Sequence, residues 1–171
     1  MKGSHGTTKS REESIRKFGW HVGRGRAGTG VYFWKECEHY VQLAIGWYKR
    51  ALNEKRYRND SNKLCTVIIA DLETEEDEIL DFDNRELRSN VYRMAKDRGL
   101  SYTNTREISS LFDLFISELQ VETGFKYKIV TMEVAPPGSE YCNYPVELLG
   151  TPICCAVRDI ESIDIIDTLN C

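Results

Sequence analysis

Residues 23–36, GRGRAGTGVYFWKE, set four glycines and two arginines directly before a row of bulky side chains, Val31-Tyr32-Phe33-Trp34. Glycines at 25, 28 and 30 open backbone conformations closed to other residues, so this segment can fold over a ligand. Arg24 and Arg26 carry planar guanidiniums that match a phosphate or a phosphodiester, although exposed loop arginines often bind nothing in particular. Tyr32 offers a flat face that suits stacking on a planar ligand as well as half-burial in a strand. Upstream, SHGTT at residues 4–8 groups the imidazole of His5, the bare backbone of Gly6 and the hydroxyl of Thr7. Alone, that tripeptide reads as a surface turn.

The elements that must position these groups follow from periodicity. REESIRKFG reads as a short helix ended by Gly19, and residues 36–55 place Tyr40, Val41, Ala44, Trp47, Tyr48 and Ala51 at helical spacing. Trp47 and Tyr48 lie deep in that apolar pattern and are expected in the core. KLCTVIIADL, KYKIVTMEV, PICCAV and SIDIIDTL read as strands, while Asn84–Asp97 and SSLFDLFISEL read as helices. The acidic run at 71–83 reads as an exposed loop. Strands mixed with helices in this order predict an α+β fold.

With 171 residues, 41% hydrophobic and 11% aromatic, the chain has the material for one core, and we expect a single domain over residues 1–171. No apolar run approaches bilayer length and the first residues lack an apolar signal region, so the expected location is the cytoplasm, without a membrane partner. The six cysteines form no C-x-x-C pair and the three histidines no ligand-spaced cluster, so reduced thiols and no metal are expected. Charge is uneven. Residues 1–60 hold 13 Lys or Arg against 6 Asp or Glu, and residues 61–171 hold 10 against 21. The basic end is therefore the end that carries the glycines, and a solvated face or a phosphate-binding surface both fit it.

The order His-Gly-Thr strand, short helix, Gly/Arg loop, Gly30-Val31-Tyr32-Phe33 strand and helix resembles the NAD-binding core of the ADP-ribosyltransferases related to poly(ADP-ribose) polymerase and diphtheria toxin. The likeness covers residues 4–52 and is looser beyond. It implies a split β-sheet core with flanking helices, with NAD as co-substrate. By the same resemblance His5 hydrogen-bonds the adenosine ribose of NAD, the Gly6 backbone holds the carboxamide, Thr7 supports that ribose-facing edge, and Tyr32 stacks on the nicotinamide, while Phe33 packs inward. The imidazole and the phenol are then expected on opposite sides of one crevice, with Arg24, Arg26 and Gly30 lending the basic, close-approaching loop. The chemistry of NAD asks for these residue types: an aromatic plane, an uncharged partner for hydroxyls, and backbone and positive charge near a pyrophosphate. A second family tyrosine falls at Leu43 here, and Trp34 and Tyr40 are the candidates for a second wall of an aromatic sandwich.

Many relatives in that family complete the set with a glutamate at the start of the last core strand, where a carboxylate stabilises positive charge as the glycosidic bond breaks. Here that start reads Pro152-Ile153-Cys154. Glu140 and Glu147 lie just upstream, and Glu147, flanked by Pro145 and Leu148-Leu149, is the preferred replacement, although both also read as solvated surface acids. The expectation is a mono-ADP-ribosyltransferase acting on a protein or nucleic-acid acceptor. Its small size is similar to stand-alone toxins or phage-defence effectors, which implies an antitoxin or inhibitor protein as a partner. The alternatives are a NAD glycohydrolase, an inactive NAD or ADP-ribose binder, and a plain α+β interaction domain.

Overall fold

β1 (Lys2–Thr8) runs straight into α1 (Lys9–Phe18), because Thr8 at its end caps the helix with its own side chain and Gly19, at φ +86°, stops it. A computed structural model describes all residues from Met1 to Cys171. After α1 come β2 (Gly23–Gly25), β3 (Gly28–Lys35), α2 (Tyr40–Asn53) and β4 (Cys65–Leu72). The second half holds β5 (Ile79–Asp81), α3 (Arg85–Asp97), α4 (Thr105–Thr123), β6 (Ile129–Glu133), α5 (Val146–Leu149), β7 (Ile153–Val157) and β8 (Ile163–Asn170). The fold is α+β, with one mixed sheet and flanking helices. Strand order is β5-β6-β7-β3-β1-β4-β8, with β2 hairpinned onto β3, and every pairing is antiparallel except β5 with β6.

Several elements differ from the sequence reading. The Gly/Arg segment is a β-hairpin rather than a loose loop, with Gly25 opposite Gly28 and a turn at Arg26-Ala27. The acidic run is not wholly a loop: β4 continues to Leu72, and Ile79–Asp81 form β5, because Leu80 and the following Phe82 are buried while the acids face outward. Helix α4 starts at Thr105, where Asn104 accepts a hydrogen bond from the Glu107 amide, well before the apolar periodicity begins.

Adjacent strand residues point to opposite faces, which sorts the core. Tyr32 and Trp34 share a face with Cys154 and Ala156, covered by α2 at one end and by α4 at the other. Val31, Phe33, Cys155 and Val157 occupy the other face together with Ala70, Leu72 and Ile129. Ile79 of β5 and Ile163 of β8, from the two ends of the strand order, pack on this same cluster, so the sheet is curled with that face inward. No helix is long and apolar enough to cross a membrane.

Candidate functional site at the split between two strands

β1 pairs with β4 along its whole length, from Lys2 opposite Asp71 to Thr8 opposite Cys65. With β3 it pairs only at Gly3–Lys35 and Ser4–Trp34. From His5 onward the two strands separate, and the histidine stands at the fork. Its Nδ1 donates to the Tyr32 carbonyl over 2.8 Å. A carbonyl can only accept, so Nδ1 carries the hydrogen and, in the neutral ring, Nε2 is left as an acceptor. Burial lowers the imidazole pKa from its ordinary 6.5, the hydrogen bond to Tyr32 opposes this, and the charge of Arg11 adds to the lowering. The ring is therefore neutral at pH 7. Trp20 meets it edge-on with centroids 5.4 Å apart, and Phe33 lies at 5.7 Å.

The Tyr32 side chain leaves β3 on the opposite face, and the β2–β3 hairpin lies across it. A Cβ at Gly25 would stand 2.5 Å from the ring, so only glycine lets the hairpin close this far. The Tyr32 hydroxyl donates to the Gly28 carbonyl, and Gly28 itself sits at φ +89°. Burial pushes the phenol pKa well above 10, so the hydroxyl stays protonated.

A polar cluster locks the hairpin from behind. Asp113, projecting from α4, accepts from the Thr29 amide at 2.8 Å and from the Thr29 hydroxyl at 2.6 Å. Arg158, just past β7, donates to Asp113 at 2.7 Å and to the Thr29 carbonyl at 3.3 Å. Burial alone would raise the Asp113 pKa, but the two Thr29 donors and the Arg158 guanidinium outweigh it and hold the carboxyl below its ordinary value.

The expected residues are thus brought together only in part. His5, Gly6 and Thr7 follow one another along β1, and His5 is bonded to the Tyr32 backbone, but the two rings do not face each other. The period-2 alternation of β3 sends the phenol away from the imidazole, and Phe33 is the ring that shares the His5 face. Gly6 has a packing reason of its own: a Cβ there would lie 1.9 Å from the Ala44 carbonyl of α2. At Gly30 it would lie 2.9 Å from the Val157 carbonyl. Thr7 is buried opposite Thr66, whose hydroxyl has no hydrogen-bond partner. Arg24 and Arg26 are exposed on the hairpin. Glu147 is exposed on α5 and Glu140 is exposed beside Gly138. Neither makes a side-chain ion pair, and β7 begins with Ile153 and the buried Cys154.

Sequence reasoning missed Asp113, Arg158 and Trp20. Asp113 did leave a signal, a charge inside the apolar run of SSLFDLFISEL, whereas Trp20 after a helix-ending glycine left none. Chemically, the fork offers a neutral imidazole acceptor beside two aromatic rings and a stretch of β1 edge released from its partner. No three His, Cys, Asp or Glu side chains are grouped to hold a metal ion. Comparison with protein-family models, with curated proteins and with solved structures gave no match to this chain.

Proposed function

We propose that the protein is a NAD-dependent mono-ADP-ribosyltransferase, breaking the nicotinamide–ribose bond and joining ribose C1 to a nucleophile on a macromolecule. The observation that carries this reading is the His5 Nδ1 bond to the Tyr32 carbonyl at the fork of β1 and β3. It links the His-Gly-Thr strand to the Val-Tyr-Phe strand and fixes a neutral ring whose Nε2 is suited to accept from a ribose hydroxyl. The freed edge of β1 at Gly6 can supply backbone hydrogen bonds to a carboxamide. Stacking of nicotinamide on Tyr32 requires NAD to pass through the fork from the His5 face to the opposite one, and the hairpin to swing off the ring, because Gly25 now lies against it. Glu147 is the carboxylate assigned to stabilise the positive charge that develops at the ribose.

A second reading, a binder of NAD or ADP-ribose without turnover, is favoured by the apolar start of β7 and by the unengaged Glu147. Incubation with NAD and cell lysate separates the two. Nicotinamide release that depends on both His5 and Tyr32, measured by chromatography, supports the transferase, and labelled macromolecule distinguishes it from a NAD glycohydrolase. A raised melting temperature with NAD but no released nicotinamide supports the binder. No thermal shift and no release removes both readings.

A further inference from the structure

We propose that the end of α2 and the segment that follows it form a docking surface for single-stranded nucleic acid. Lys49, Lys55, Arg58 and Lys63 are exposed there, and none of them makes an ion pair. The two acids within the patch are already engaged. Glu54 is held between Arg50 at 2.9 Å and Arg56 at 2.6 Å, and Asp60 takes Arg11 at 2.8 Å and the Thr8 hydroxyl at 2.6 Å. The surface keeps a clear surplus of positive charge although the chain as a whole is at -4. Such a surplus attracts a phosphodiester backbone and binds it in a salt-dependent way.

The arrangement of the arginines selects the single strand. The Arg56 guanidinium lies 5.2 Å from the centroid of the Trp47 ring, Arg50 lies 5.7 Å from the same centroid, and Arg11 lies 4.7 Å from that of Tyr57. Tyr57 is in turn stacked on Tyr48. Contact with a ring restrains a guanidinium, and these three side chains remain 44–52% exposed, so each can offer its outer face to a base. Unpaired bases stack on guanidinium planes and bases inside a duplex cannot, whereas an acidic protein would pair with the guanidinium edges, which Glu54 and Asp60 already take.

Position connects this surface to the fork. The Lys9 and Ser10 amides donate to the Leu64 and Asn62 carbonyls, so the segment is tied to the end of β1, roughly 10 Å along the strand from His5. On the reading proposed above, which this consequence rests on, the strand bound here is the acceptor. The docking itself does not depend on NAD.

The test is fluorescence anisotropy of a short labelled single-stranded oligonucleotide with the full chain, without NAD, over ~50 to ~200 mM salt. We expect binding whose log K falls with log salt at a slope of about −3, one unit of charge for each of the four free cations at about 0.7 apiece. A variant K55A/R58A/K63A, its fold verified by circular dichroism, should lose about 2 from that slope. Arg56→Lys, which keeps the charge and loses the plane, should weaken the single strand by about tenfold and leave a duplex of the same length unchanged. The proposal is overturned if the duplex binds as tightly as the single strand, if the triple variant keeps the parental slope, or if polyglutamate competes as well as the oligonucleotide. Oligonucleotide binding without nicotinamide release sinks the transferase reading and leaves this surface standing.

Discussion

His5 uses one ring nitrogen to hold the Tyr32 carbonyl and keeps the other free, and the cost of charging that half-buried ring gives a titration that can be read directly. Because burial lowers its folded-state pKa, the unfolded chain takes up the proton first as pH falls below about 6.5. Stability is therefore full above that pH and declines as pH falls towards the folded-state value. We expect the imidazole resonances, followed by NMR, to titrate below 6.5, and His5→Gln to flatten the fall in melting temperature over that window. A ring that titrates above 6.5 would contradict the neutral assignment. Thr66 poses the opposite case, a buried hydroxyl with nothing to bond. Replacing it with valine keeps the shape and removes the stranded group, so Thr66→Val should gain up to about 1 kcal/mol, or a few degrees in Tm. His5 was legible as a candidate, but the burial and partners of both groups were not, since they depend on strands brought together from residues 2–8, 28–35 and 65–72.

Among the elements, the β2–β3 hairpin depends most on a distant contact. Asp113 and Arg158 are both less than a third exposed, so Asp113→Ala leaves a poorly solvated guanidinium and an unpaired Thr29 amide. The expected loss is about 2–3 kcal/mol in urea unfolding, with faster amide exchange at Thr29. The carboxyl has a lowered pKa, so its contribution is present above the ordinary value of 3.8 and is lost as pH falls through the folded-state value beneath it. The parent should thus lose stability below about pH 4 more steeply than Asp113→Ala, as judged from urea midpoints across that range. Much of this level was legible. The α2 apolar spacing, the β-branched strands and the Gly19 stop all appear as elements, though α2 begins at Tyr40 rather than near residue 36. The hairpin was not legible, because glycine signals a turn without saying which ring the turn covers. Trp47 was expected in the core on periodicity, yet it is only half-buried and carries two guanidiniums, since Tyr48 and Ala51 take the inward side of the last turns of α2 against Cys65 of β4.

For the molecule as a whole, the sequence disclosed an α+β class and a basic first third, but not the curl of the sheet, which arises only when residues far apart meet on one face. The curl has a kinetic consequence. Ile79 and Ile163 close a cluster that also needs Val31 and Phe33, so its contacts span most of the chain and the cluster cannot be completed until long loops have been brought together. Refolding from denaturant should therefore be slow for a chain of this size, on the order of milliseconds to seconds, and should report on the strands and on Trp20 in the same phase. With Trp34 and Trp47 replaced by phenylalanine so that Trp20 is the one reporter, a tryptophan signal that recovers well before the strand signal would mean that the face beside His5 forms without the rest of the curled sheet.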